Sequence, residues 1–583
     1  MNIFELDKAL VDRYASFARS FSAIRASEID QQVRSIYEQG RFWPDPLITI
    51  NPRFEAGKSI EELVVSGDVA PELASIFAAG PDRTPIRLHR HQERAVAKAR
   101  NRESFVVTTG TGSGKSLCFF VPIVDAIVRA KKTGEAPRTK AIIIYPMNAL
   151  ANSQLGEIRK FVDDAGLPAH LRPTVARYTG QETDEERQQI SRDKPDILLT
   201  NFMMLELLMT RQERLDRAVI DNAQNLDFLV LDELHTYRGR QGADVAMLVR
   251  RVKQRLTPSK DLICIGTSAT MSSSPDEAER AAAVAEVATK LFGQSIGVGS
   301  IIDESLARAT SPAIKAETLG EQLRQVVLQP LSGSLTDADL TLHPLACWIE
   351  TQVGLDDAEK LRRRKPMTLT NAAQALGLQT GASEEDCSRS IADMLAMMGK
   401  PESQRGGTSP RAFLAFKLHR FISGAGQAYS TLEPSEQRRV SLEGQKFHPD
   451  DPEARLYPLF FCRECGQEHH SVSITNADGA HRVIARSIDE AARDEAEPDG
   501  TETGYLVPAV NAGFRFAGCP DDYPDEWLEP TASGEIRLKS AHRGKHEGRL
   551  VMVRPDGSFG DEGIPAWFFS GKYRFCPECG HQP

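Results

Sequence analysis

The chain has 583 residues, 40% of them hydrophobic and 26% charged, with a formal net charge of −10. That composition is the one expected of a soluble globular protein with room for three or four domains. The acidic balance speaks against a protein that coats nucleic acid with its whole surface, but it leaves room for one basic groove. An odd count of nine cysteines does not read as a disulfide framework. The sequence holds no run of 18 apolar residues, and no basic start followed by an apolar core. A membrane span and a signal peptide are therefore not expected, and a cytoplasmic location is.

Residues 1–81 read as a mainly helical N-terminal region. Apolar residues recur at helical spacing from Leu10 to Ile24. Phe42-Trp43-Pro44-Asp45-Pro46 breaks that pattern before a short extended piece at Leu47–Ile50. From 82 to 300, helical stretches alternate with β-rich runs at 104–108, 141–145, 196–200, 227–231 and 262–266. Strands apolar on both faces and separated by helices predict an α/β domain with a parallel, doubly wound sheet. Function in such sheets collects at the carboxyl ends of the strands.

Motifs stand at those ends. Thr109-Gly110-Thr111-Gly112-Ser113-Gly114-Lys115-Ser116 lies between an apolar run and an apolar helix, the setting of a phosphate-binding loop. Its glycines let backbone N–H groups turn onto phosphates. Lys115 would reach the β- and γ-phosphates of ATP, and the Ser116 hydroxyl would sit on Mg²⁺. Thr109 departs from the strict pattern, which begins with Gly or Ala. Downstream, Phe228-Leu229-Val230-Leu231 delivers Asp232-Glu233-Leu234-His235. Asp232 would hold Mg²⁺ and Glu233 would deprotonate the attacking water. Solvated acids at a strand end are the plainer reading, but the phosphate loop upstream makes it the poorer one. A third apolar run ends in Ser268-Ala269-Thr270. Cys118 and Cys264, inside apolar runs, read as small core residues.

In this order Lys115-Ser116, Asp232-Glu233-Leu234-His235 and Ser268-Ala269-Thr270 resemble motifs I, II and III of superfamily 2 DExH-type helicases. Tyr145-Pro146-Met147-Asn148-Ala149-Leu150 resembles motif Ia, and Tyr178-Thr179-Gly180 with Leu199-Thr200-Asn201 resembles the Ib region. Leu88-His89-Arg90-His91-Gln92 is similar to the adenine-reading segment. The continuation Thr236-Tyr237-Arg238-Gly239-Arg240-Gln241-Gly242-Ala243 resembles the YprA/MrfA-like helicases and the helicase subunits of Druantia- and DISARM-type anti-phage systems. The resemblance implies a RecA-like fold for 82–300, with catalytic roles for Lys115, Asp232, Glu233, His235, Ser268 and Thr270. It implies that Gln92 reads the base, that Ser268 and Thr270 couple hydrolysis to strand movement, and that the Ia and Ib segments touch nucleic-acid backbone. It also implies movement from 3′ to 5′.

Residues 301–454 are polar and read as mainly helical. Arg362-Arg363-Arg364-Lys365, followed by Met367–Gly377, reads either as a winged-helix piece with basic residues against DNA or as a solvated linker before an ordinary helix. Lys417-Leu418-His419-Arg420-Phe421-Ile422 is similar to a segment that precedes zinc modules in related helicases. Residues 455–583 hold two Cys-x-x-Cys-Gly knuckles, Cys462/Cys465 and Cys576/Cys579. Four thiolates make a tetrahedral Zn²⁺ site. The spacing is unusual, because 110 residues lie between Cys465 and Cys576 where a ribbon has about 15–20. Two half-sites completed by His469, His470, Cys519 or His581, or a redox pair, remain open alternatives.

A superfamily 2 motor needs a second RecA-like lobe with an arginine finger, and residues 300–583 show no segment of the Gln-x-x-Gly-Arg-x-Gly-Arg type. The expectation is the N-terminal part of an ATP-dependent DNA helicase or translocase serving repair or anti-phage defence. Its partners would be DNA, single-stranded or with a single-stranded end, and a second lobe from another chain or a missing C-terminal part. An RNA helicase, or an ATP- and zinc-binding scaffold without turnover, is the alternative.

Overall fold

The computed structural model describes residues 3–20, 23–40, 43–80, 82–110, 112–269, 276–329, 331, 333–356, 360–422, 427–477, 480–487, 490, 492–494, 496–510 and 513–583. The chain divides into two units. One comprises Ile50–Lys365 with Met397–Phe416, and the other Met1–Thr49, Pro366–Ala396 and Lys417–Pro583.

The first unit is built on seven strands: β1 (Phe105–Thr108), β2 (Ala141–Tyr145), β3 (Val175–Arg177), β4 (Ile197–Asn201), β5 (Phe228–Leu231), β6 (Ile263–Ser268) and β7 (Ile301–Asp303). Among the described residues they form a parallel sheet in the order β7-β1-β6-β5-β2-β4-β3. The reason lies in side-chain alternation. Phe105, Val107, Ile143, Tyr145, Ile197, Leu199, Val230 and Ile265 enter one buried cluster with residues of the helices Arg90–Arg100, Lys115–Lys132 and Asn148–Asp163. Their neighbours Val106, Ile142, Ile144, Leu198, Leu229, Leu231 and Cys264 enter a second cluster with the helices Phe202–Thr210, Gly239–Leu256 and Glu277–Phe292. With a strand period of two, a run apolar at every position buries both faces. Each fully buried aliphatic side chain there contributes about 1.5–3 kcal/mol. The two clusters make the sheet doubly wound and RecA-like, and Cys118 and Cys264 lie fully buried in it. The edge strands β3 and β7 are three residues each and carry too short an apolar signal to be read from sequence.

The second unit departs from expectation. Its main sheet is antiparallel and comprises β8 (Tyr429–Thr431), β9 (Val440–Ser441), β10 (Phe447–His448), β11 (Asp451–Phe461), β12 (Glu468–Ala477), β13 (Ala480–Ala485), β14 (Glu502–Pro508), β15 (Arg549–Val553) and β16 (Ile564–Ser570). The order is β9-β8-β11-β12-β14-β16-β15, with β10 on β11 and β13 on β12. The sheet thus begins inside the region expected to be helical up to 454. Charged residues at and between the strand ends interrupt the apolar pattern: Arg439, just before β9, bridges Glu433 and Asp451, each at 2.9 Å.

The N-terminal region expected over 1–81 is also divided. Its helices Ile3–Ser20 and Ser27–Glu38 belong to the second unit, where the Arg25 N–H donates to the Gly466 carbonyl at 2.9 Å and Arg25 pairs with Glu578 at 2.6 Å. Residues 50–80 belong to the first unit. Among the described residues no helix is long and apolar enough to cross a membrane.

Candidate nucleotide and metal sites

β1 ends in the phosphate loop. Gly112 and Gly114 adopt φ of +82° and +71°, the left-handed region that only glycine enters without strain. At Gly114 the constraint is also steric, because a Cβ would stand 2.6 Å from Gln92 Nε2. That amide donates to the Gly114 carbonyl at 2.9 Å, while Gln92 Oε1 accepts the His89 N–H at 2.8 Å. Gln92, 2% exposed, thus clamps the loop through both ends of its amide. Buried His91 adds a contact of 3.0 Å from Nε2 to the Ser113 carbonyl, and burial pushes its pKa down to about 4. The Thr109 and Ser113 hydroxyls bond each other at 2.6 Å inside the loop. Ser116 is the second residue of the following helix, half-buried. Thr111 lies outside the described residues.

Lys115 Nζ reaches Glu233 Oε1 at 3.2 Å, so the ends of β1 and β5 are joined by one cation. Glu233 itself stands at φ +52°, a strained conformation for a side-chain-bearing residue, costing about 1–2 kcal/mol. That turn sets Asp232 and Glu233 side by side. Burial raises the Asp232 carboxyl above the usual carboxylate range, the Glu233 charge adds to this, and the Thr267 hydroxyl opposes it. Thr267 is a residue the sequence reading missed. Fully buried, its hydroxyl donates to Asp232 Oδ1 and accepts the Glu233 N–H at 3.2 Å. Its signal was adjacency to Ser268 on the strand beside Asp232.

His235 joins the second and third motifs. Its Nδ1 lies 3.2 Å from Glu233 Oε2, 3.3 Å from the Ser268 hydroxyl and 3.4 Å from the Ala269 N–H. Thr270 lies outside the described residues. Along the same carboxyl edge, Asn201 Nδ2 donates to Asn148 Oδ1 at 2.7 Å and to the Thr179 carbonyl at 3.2 Å. One side chain thereby ties the three segments at 145–150, 178–180 and 199–201. Within the basic run at 362–365, Arg363 pairs with Glu304 and Arg364 donates to the Leu355 carbonyl, while Lys365 is exposed.

In the second unit the two knuckles meet. The Sγ atoms of Cys462 and Cys579 stand 3.7 Å apart, those of Cys465 and Cys576 3.6 Å, and all four lie within 4.8 Å of one another. A tetrahedron with Zn–S bonds of about 2.3 Å has edges near 3.8 Å, so the four sulfurs fit one Zn²⁺. His469, whose Nδ1 is 2.9 Å from the Gln467 carbonyl, stands outside that cluster, as does exposed Cys519. The arrangement is a single four-sulfur group rather than two half-sites.

Comparison with known proteins agrees with the first unit. Residues 89–278 match the DEAD/DEAH box helicase family. The chain is 24% identical over 387 residues to the Druantia protein DruE of Escherichia coli (strain UMEA 4076-1), covering 47% of this chain and 21% of that protein. It is 31% identical over 207 residues to the uncharacterized ATP-dependent helicase YprA of Bacillus subtilis (strain 168), covering 35% of this chain and 26% of YprA. The DUF1998 helicase MrfA bound to DNA is similar at a TM-score of 0.35 and 23% identity, over 47% of this chain and 32% of that one. The chain thus matches about a fifth to a quarter of the length of these two curated relatives. Residues 89–278 thus match a DEAD/DEAH box helicase domain, in a chain similar to YprA and DruE.

Proposed function

We propose that the chain is the ATP-binding part of an ATP-dependent DNA helicase or translocase, acting in repair or anti-phage defence in the cytoplasm. The observation that carries this is the meeting of Lys115, Glu233 and Asp232 at the carboxyl ends of β1 and β5, the two parallel strands that flank β6. MgATP would supply the phosphoanhydride bond and a metal charge that neutralises the phosphates. Lys115 binds the β- and γ-phosphates, with the loop amides from Thr109 to Ser116 around them. Ser116 and Asp232 hold Mg²⁺, and Glu233 accepts the proton of the attacking water. His235 carries the state of Glu233 to Ser268 and, with Thr270, toward the nucleic-acid face. Gln92 serves first as a clamp on the loop; reading the base requires it to release one backbone partner. The Asn148–Asn201 edge binds nucleic-acid backbone, which positions a strand without reading its sequence.

The domain over 82–300 works with a second RecA-like lobe from the rest of a longer protein or from another chain, consistent with the small share of the relatives matched here. The four cysteines hold one Zn²⁺ in an architectural role. The test is nucleotide binding and hydrolysis by the purified chain, with and without matched DNA and RNA strands, beside Lys115→Ala. Nucleotide binding lost in Lys115→Ala is expected, with turnover stimulated by DNA once a second lobe is present. Binding that survives Lys115→Ala sinks the assignment, and stimulation by RNA alone sinks the choice of DNA.

A further inference from the structure

Arg363 is engaged at the phosphate loop. Its Nε and Nη2 donate to the two carboxylate oxygens of Glu304 at 2.8 and 3.0 Å. Glu304 Oε2 in turn accepts the Gly110 N–H at 3.2 Å. The guanidinium lies directly over that glycine: a Cβ at position 110 would stand 2.8 Å from the central carbon and Nε of Arg363. The Phe54 ring lies 5.8 Å from the guanidinium carbon. Arg363 nevertheless keeps 27% of its side chain exposed, so it is not sealed into the core.

An ion pair of this exposure contributes little to stability. What sets it apart is its place. A carboxylate occupies the Gly110 N–H in the loop read as the phosphate site, and the glycine there admits a guanidinium at contact distance. We propose that Arg363 is a binding residue for the outermost phosphate of the nucleotide, and that Glu304 is the internal anion holding its place until nucleotide arrives. This rests on the reading of 109–116 as a nucleotide site. Phosphate brings more negative charge than a carboxylate and presents the oxygen pairs that a guanidinium fork matches. Glu304, repelled by that charge, borders a cleft of about 450 Å³ lined also by Asp303, Ser305, Glu277 and Lys360, which gives its side chain somewhere to turn. ADP lacks the phosphate that Arg363 would hold, so the pair reports on nucleotide state from within one unit.

The experiment is titration of the purified full chain with Mg²⁺ and either a fluorescent non-hydrolysable ATP analogue or fluorescent ADP, each protein melted beforehand. The variants are Arg363→Ala, Arg363→Lys, Glu304→Gln and Lys115→Ala. Loss of one charge-assisted contact should weaken the ATP analogue about tenfold in Arg363→Ala and leave ADP within about twofold. Arg363→Lys should fall between, and Glu304→Gln should tighten the ATP analogue. Equal weakening of both nucleotides, or unchanged ATP-analogue affinity in Arg363→Ala, overturns the proposal. Should Arg363→Ala fail to melt cooperatively, Arg363→Lys and Glu304→Gln decide it by the same criterion. Binding that is lost in Lys115→Ala but untouched by all Arg363 and Glu304 changes overturns this proposal alone. Wild-type chain that binds neither nucleotide overturns the reading beneath it as well.

Discussion

Replacing Thr267 with Val is the sharpest probe of the candidate ATP site, because it keeps shape and removes one oxygen. That hydroxyl stands between two groups: it donates to Asp232 and accepts the Glu233 N–H at 3.2 Å. Without it Asp232 loses a donor that stabilises its charged form, and the Glu233 amide loses its acceptor. A hydrogen bond to a charged group is worth about 1.5–3 kcal/mol, and a buried unsatisfied N–H costs about 1–3 kcal/mol. Asp232 is only half-buried, so water recovers part of both terms, and a net loss of about 2 kcal/mol is expected. The Asp232 carboxyl, already raised by burial, should rise further, and an oxygen no longer held by that hydroxyl should bind Mg²⁺ less well. Urea unfolding gives the stability change, and nucleotide titration with and without Mg²⁺ gives the second effect, expected as a weakening of about tenfold that appears only with the metal. Thr267→Ser keeps the hydroxyl and should retain metal-dependent binding. A Thr267→Val protein with wild-type stability and wild-type Mg²⁺-dependent affinity would refute the bridging role.

Three further outcomes are expected. Elemental analysis should find about one Zn²⁺ per chain, and Cys462→Ser or Cys576→Ser should remove the melting transition of the second unit while nucleotide binding survives, since metal binding and folding are one free energy there; a zinc-free chain that melts normally contradicts this. Gly266→Ala should cost about 1–3 kcal/mol by overpacking, because its Cβ would stand 2.3 Å from Leu234 Cδ1 and 3.2 Å from Phe292 Cζ; an unchanged urea midpoint contradicts that packing. Burial pushes His91 down to about 4 and His470 to about 3. As pH falls from about 6.5, the unfolded chain takes up protons that these side chains refuse when folded. Stability should therefore drop by about 1–2 kcal/mol per histidine at pH 5 and stay level above about pH 7. Melting at pH 7.5 and 5.0 checks this, and His91→Gln should remove that residue's share of the acid loss.

The five central strands of the first unit were legible because each is apolar at nearly every position, and burial on both faces leaves no other use for such a run. The loop and the Asp-Glu pair were legible because their chemistry fixes residue types in sequence. What stayed hidden depends on long-range pairing. Thr267 looks like any strand threonine until Asp232 is seen beside it. Arg363 lies 59 positions from Glu304, and its run of basic residues suggested DNA or solvent rather than the loop. The large antiparallel sheet escaped because strands such as β11, which starts Asp-Pro-Glu-Ala-Arg, read locally as polar loop.

The four-sulfur cluster sets a clock on the second unit. Cys465 and Cys576 are 111 positions apart, and β12, β14 and β16 lie between them in the chain. At about 5–20 residues per second, a ribosome leaves the first knuckle without its partner for roughly 5–20 s. Through that interval Cys462 and Cys465 are a reduced pair with half a ligand set, able to bind the wrong metal or to oxidise. The full four-sulfur set comes together only when the sheet between the knuckles has been made. On the proposed zinc reading, the supply of zinc and reductant during synthesis would decide how much of this unit reaches its folded form.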